Sequence, residues 1–64
     1  MISRGAVCHL AARHGAFCKF AIGKVTLYKG DPLDNQTWIE LGTMPITPNF
    51  LVDEQKIYQL LRQL

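Results

Sequence analysis

The chain has 64 residues, 48% of them apolar, and a formal net charge of +2 at pH 7. That length allows one small domain, residues 1–64, whose core removes only about 60% of the unfolded chain's surface from water. No run reaches the roughly 18 to 20 apolar residues of a spanning helix, and two cysteines are too few for a disulfide scaffold.

These limits lead to an expected cytoplasmic protein with reduced thiols and no membrane partner. The apolar fraction is high for so short a chain, so two states follow from it: a homodimer that covers an apolar interface, or a compact monomer with an ordinary apolar surface. Charge is divided along the sequence. Residues 1–30 hold Arg4, Arg13, Lys19, Lys24 and Lys29 with no acid, whereas residues 31–64 hold Asp31, Asp34, Glu40, Asp53 and Glu54 against Lys56 and Arg62. A basic half of +5 therefore precedes an acidic half of −3. Such a division can steer a polyanion or an acidic protein surface to one side of the molecule, or make the two halves self-complementary.

In chain order, residues 3–14 predict a helix. Val7, Leu10, His14, Phe17 and Ala21 recur at spacings of three and four, the alanines favour helix, and Gly15 supplies its end, with a strand starting near Phe17. The alternative is a hairpin with His14-Gly15 in the turn and Cys8, Leu10, Phe17 and Phe20 in its strands. The opening residues also have the Arg-bearing, acid-free composition of a mitochondrial transit peptide, but are taken as part of the fold. Lys24 to Tyr28 and Thr37 to Leu41 alternate polar and apolar residues around the turn-rich Lys29 to Gln36, which predicts an antiparallel hairpin over 24–41. Val25, Leu27, Ile39 and Leu41 are assigned to its covered face, and Lys24, Thr26, Tyr28, Trp38 and Glu40 to the other. Gly42 to Pro48 is expected to cross over as an extended connector, since residues before proline avoid helical angles.

The last third predicts an amphipathic helix with Ile57, Leu60, Leu61 and Leu64 on one face. Its start is open between Thr47 and Asp53 as cap, and Asp53, Glu54 and Arg62 suit the axial dipole. The expected fold class is α+β: an N-terminal helix, a two- or three-stranded antiparallel sheet, and a C-terminal helix packed on one sheet face.

Cys8, His9, His14 and Cys18 are the only metal-capable cluster, and their spacing is poor for one tetrahedral ion, so no metal and no cofactor are expected. A nucleophile would need a base, an orienting group and a pocket, and the acid-free first half offers no such set, so the chain is expected not to be an enzyme. Two nucleic-acid arrangements fit the residues. Leu10 to Gly15 followed by Ala21-Ile22 suits a winged helix-turn-helix with Lys19 and Lys24 near a recognition helix. Tyr28 and Trp38 could instead stack on unpaired bases, with Lys19, Lys24 and Lys29 on phosphates.

In Ile22-Gly23, Val25-Thr26, Asn35-Gln36 with Ile39 following, Pro45, and Ile57-Tyr58-Gln59, the chain resembles the carbon storage regulator family of RNA-binding dimers. That resemblance implies an RNA-contacting arginine just before the acidic pair of the last helix. Val52 stands before Asp53-Glu54 here, so the contact is missing and the family is not adopted. The favoured expectation is a small non-enzymatic regulatory or inhibitory module that binds a larger protein through an apolar and aromatic surface, either as monomer or homodimer. The partner-binding residues assigned to it are Trp38, Tyr28, Lys24, Lys19, Lys29 and Arg13. A nucleic-acid-binding regulator is the alternative.

Overall fold

The computed structural model describes residues 1–64 and has the expected α+β architecture. Strand β1 (Ile2–Ser3) leads into helix α1 (Arg4–Arg13), followed by β2 (Ala16–Ala21), β3 (Lys24–Lys29), a 3-10 turn (Asn35–Thr37), β4 (Ile39–Pro45), β5 (Leu51–Val52) and α2 (Glu54–Leu61). Strands β2, β3 and β4 form one antiparallel sheet in that order, and β1 pairs with β5 in a second, two-stranded sheet.

Helix α1 begins where Ser3 accepts a hydrogen bond from the Ala6 amide at 3.3 Å, the side-chain cap that satisfies an otherwise unpaired first-turn donor. It ends at Gly15, whose φ of +76° is reached without a side-chain penalty. The hairpin alternative for residues 8–20 is thereby replaced by helix followed by strand. Because β2 occupies Ala16–Ala21, no helix directly follows Gly15, and the helix-turn-helix arrangement is absent from the fold. The stretch Phe17-Cys18-Lys19-Phe20 alternates about the sheet instead, and pairing with β3 satisfies its backbone.

Both helices cover one sheet face. Val7 and Ala11 of α1 meet Ala16, Val25, Leu27, Leu41 and Met44 of the sheet, with Val52, Ile57 and Leu61 completing a core of ten buried residues. Each large aliphatic side chain taken fully out of water there contributes roughly 1.5 to 3 kcal/mol. Helix α2 starts at the Asp53 cap, whose carboxylate accepts from the Gln55 amide at 3.0 Å, which settles its start against Thr47. It ends at Leu61 with Arg62 as its cap, so Leu64 lies beyond the helix and is exposed rather than on its apolar face. Leu60 lies over Gly42, where an added Cβ would come within 2.5 Å of its Cδ2.

Three details differ from the sequence reading. Residues 42–45, expected in a connector, belong to β4, and their carbonyls and amides complete the ladder to β3. A bulge shifts the register, so that Leu27 faces Gly42 while Tyr28 faces Glu40. Consequently Met44, opposite Val25, takes the buried place, and Ile39, opposite Lys29 at the end of the sheet, stays 55% exposed. The β1 and β5 pair was not anticipated, because two-residue strands carry no periodicity; it ties both chain ends to α1 through Ile2 opposite Val52 and Ser3 opposite Leu51. No helix is long and apolar enough to cross a membrane.

Candidate binding surfaces

Two surfaces collect the side chains with binding chemistry. The first is the sheet face turned away from the helices. Alternation along β2 and β3 puts Phe17, Lys19, Lys24, Thr26 and Tyr28 there, and Thr26 and Thr43 share a hydroxyl hydrogen bond at 2.8 Å across the strands. Phe17 stacks on Tyr28 with centroids 5.6 Å apart. Trp38 closes the group at 5.1 Å from Phe17 and 5.5 Å from Tyr28, and the Lys19 ammonium sits 4.7 Å from the Trp38 ring centroid, a cation held by the ring's negative face.

The loop between β3 and β4 aims Trp38. Its indole N–H donates to the Asp31 carbonyl at 2.7 Å, the Asp31 amide donates to the Thr37 hydroxyl oxygen at 2.7 Å, and that hydroxyl donates to the Asp34 carbonyl at 2.7 Å. Asp31 and Asp34 each close a small turn by accepting from the amide two residues on, Leu33 at 2.9 Å and Gln36 at 3.1 Å. Turn-forming residues therefore position the one tryptophan, a connection that sequence spacing alone does not reveal.

Of the six residues expected in the partner surface, Trp38, Tyr28 and Lys19 come together, and Lys24 shares their face at the hairpin end opposite Ala21 and Pro45. Lys29 pairs with buried Ala16 and, with Val25 and Leu27, alternates toward the helix side, where it is half-buried. Arg13 lies in the last turn of α1, exposed and suited to the helix C-terminus, away from the aromatic group.

The second surface was missed by the sequence reading. An open groove of about 720 Å³ runs between the start of α1, the β2–β3 turn and the segment before β5, lined by Arg4, Phe20, Ile22, Ile46, Pro48 and Phe50 among others. Arg4 is the only charged residue along it, and its guanidinium lies 5.0 Å from the Phe50 ring centroid and 6.0 Å from that of Phe20. Ile22 projects fully into solvent from the β2–β3 turn. Phe50 is 61% exposed and holds a φ of +61°, a left-handed conformation that costs a bulky L-residue on the order of 1 kcal/mol or more. The turn keeps it there: the Phe50 amide donates to the Thr47 carbonyl at 2.8 Å and the Leu51 amide to the Thr47 hydroxyl at 3.1 Å. The available sequence signal was Pro48-Asn49-Phe50, a turn carrying an aromatic instead of the glycine that its geometry favours.

The four metal-capable residues part company: Cys8 and Cys18 meet with sulfurs 3.0 Å apart, whereas His14 lies edge-on to Tyr58 at 6.5 Å. No group of three or more His, Cys, Asp or Glu has metal-binding geometry. Burial, then the hydrogen bond and charge of Cys8, push the Cys18 thiol from 9.0 up to about 12. A raised pKa means that the folded state keeps a proton the unfolded chain releases, so this contribution to stability is complete below about pH 9 and is lost as pH rises toward 12. Urea midpoints of the wild type and Cys18→Ala at about pH 8 and about pH 10.5 test the sign: the wild type is expected to lose more between them, and equal losses would contradict the shift. None of the protein-family models, curated proteins or solved structures compared with the chain matches it.

Proposed function

We propose that the chain is a small non-enzymatic module that docks on a larger protein, receiving in its groove an apolar segment that carries a carboxylate. The observation that supports this most directly is Phe50. A bulky ring is kept exposed in a backbone conformation that glycine would adopt without strain, and strain of this kind collects at binding sites, where the stability it costs is offset by what the side chain does. The chemistry of the occupant follows from the lining. Phe20, Ile22, Ile46, Pro48 and Phe50 offer apolar contact, and Arg4, with no acidic residue along the groove, offers one cation to a carboxylate. Contiguous exposed apolar surface with a charged rim is characteristic of protein recognition, and aromatic anchors carry much of its energy.

Selection from a displayed random-peptide library tests this reading. The wild type is expected to enrich peptides with two or more apolar positions and a nearby Asp, Glu or terminal carboxylate. Arg4→Glu should lose the acidic preference, and Phe50→Gly should lose binding by tenfold or more while its unfolding free energy stays within about 1 kcal/mol of the wild type, because relief of the backbone strain offsets the lost ring contacts. Enrichment that is identical for the wild type and both variants would refute the groove as the site. Concentration-dependent self-association abolished by Ile22→Asp would show a second copy as the occupant instead.

A second reading, binding of single-stranded nucleic acid, is favoured by Lys19 and Lys24 beside the aromatic group on the open sheet face. Against it, the Phe17, Tyr28 and Trp38 rings already pack on one another and Lys19 already covers Trp38, which leaves less ring surface for bases. Anisotropy of a labelled single strand at two salt concentrations decides it: affinity that falls steeply with salt supports this reading.

A further inference from the structure

The only two cysteines in the chain lie on different elements, Cys8 on α1 and Cys18 on β2, and the fold brings their sulfurs to 3.0 Å. That is inside the sum of two sulfur radii and only about 1 Å longer than a disulfide bond. Both are free thiols, Cys8 exposed and Cys18 half-buried. Neither belongs to the groove residues on which the docking reading rests, although Cys8 lines an adjoining cleft with Arg4, Phe20 and Phe50.

We propose that Cys8 and Cys18 form an intramolecular oxidation site that a small anionic disulfide of the glutathione class converts to a cross-link between α1 and β2. Access gives the order of events. The exposed Cys8 thiolate attacks one sulfur of the small disulfide, forming a mixed disulfide and expelling one thiolate, which takes up the proton Cys8 released. Cys18 then attacks the Cys8 sulfur, the second small thiolate leaves, and it takes the proton from Cys18. Two protein thiols are oxidised and one small disulfide is reduced to two thiols. Arg4, one turn before Cys8 on α1 and lining the same cleft, attracts the carboxylates of such an oxidant. Cys18 is placed for the second step by its 3.0 Å approach to the Cys8 sulfur. Burial continues to hold its proton, but the further hold of the hydrogen bond and charge of Cys8 disappears once Cys8 is capped. A cross-link closing this short stretch also restricts the unfolded chain, so oxidation stabilises the fold.

The full chain, reduced, desalted and exposed to glutathione disulfide, provides the test by intact mass and by peptide mapping without reductant. The expected product is a monomer lighter by two hydrogens, with both thiols protected from alkylation together, a thermal midpoint raised by on the order of 10 °C, and full reversal by dithiothreitol. Cys18→Ser should trap one glutathione on Cys8, and Cys8→Ser should react about tenfold more slowly or less at the half-buried Cys18. A wild type that accumulates stable glutathione adducts, or that joins two chains through a cysteine, would overturn the proposal. The wild-type readout needs no substitution, so a poorly folding variant does not obscure it, and neither outcome depends on whether the groove binds a peptide.

Discussion

Leu27→Ala is expected to destabilise the domain by about 3 to 4 kcal/mol, since it removes a fully buried side chain at the centre of the sheet and leaves a cavity. A 64-residue domain has a total stability of roughly 3 to 10 kcal/mol, so this one change takes much or all of it. The neighbours are the reason for the size of the effect. Leu27 lies between Cys18 on β2 and Gly42 on β4, beneath a core shared with Val7 and Ile57, and backbone pairing on both sides prevents collapse into the void. Ile39→Ala provides the contrast. Its place at the end of the sheet, opposite Lys29, leaves Ile39 more than half exposed, so its loss should be within about 0.5 kcal/mol. Urea unfolding of the two variants distinguishes this register from a regular hairpin, in which both substitutions would be costly.

The second large effect is expected at Gly30, which ends β3 with a φ of +121°. An added Cβ there would strike the Thr37 backbone carbonyl, and since the obstacle is main chain, the loop must move. Gly30→Ala combines an unfavourable conformation with that collision, for a cost of about 2 to 3 kcal/mol. The movement separates the partners that hold Trp38, namely the Thr37 hydroxyl and the Asp31 carbonyl. Emission of the one tryptophan should therefore shift to the red as the indole leaves Phe17 and Tyr28. Unchanged emission together with unchanged stability would show that the loop does not position the ring.

The elements legible in the sequence were those with periodicity or punctuation. Ser3 and Gly15 delimit α1, the apolar periodicity of α2 was plain although its start stayed open between Thr47 and Asp53, and alternation marked β3, because caps and alternating faces are local consequences of backbone geometry. Long-range pairing decided the rest. The bulge at Leu41 brings Met44 opposite Val25 into the core, while Ile39 stays exposed at the end of the sheet, and no local pattern distinguishes them. The candidate surfaces divide in the same way. Tyr28, Trp38 and Lys19 were legible because strand alternation excluded them from the apolar face. Lys29 was grouped with them for its charge, although its parity in β3 is that of Leu27 and turns it to the helix side. The groove was illegible because Arg4, Phe20 and Phe50 come from three segments brought together by long-range contacts: β2 packs on α1, and the β1 and β5 pairing sets the Phe50 turn beside them.

The most direct test of the docking claim is amide chemical-shift mapping of the labelled chain with an enriched apolar, carboxylate-bearing peptide, followed by the same titration with a single-stranded oligonucleotide. The peptide is expected to shift Arg4, residues 20–23 and residues 46–50, with little change at Phe17, Tyr28 and the Trp38 indole. Peptide-induced shifts centred on Phe17, Tyr28 and Trp38, or shifts there with the oligonucleotide and none with the peptide, would contradict the groove as the binding site and move function to the open face of the sheet.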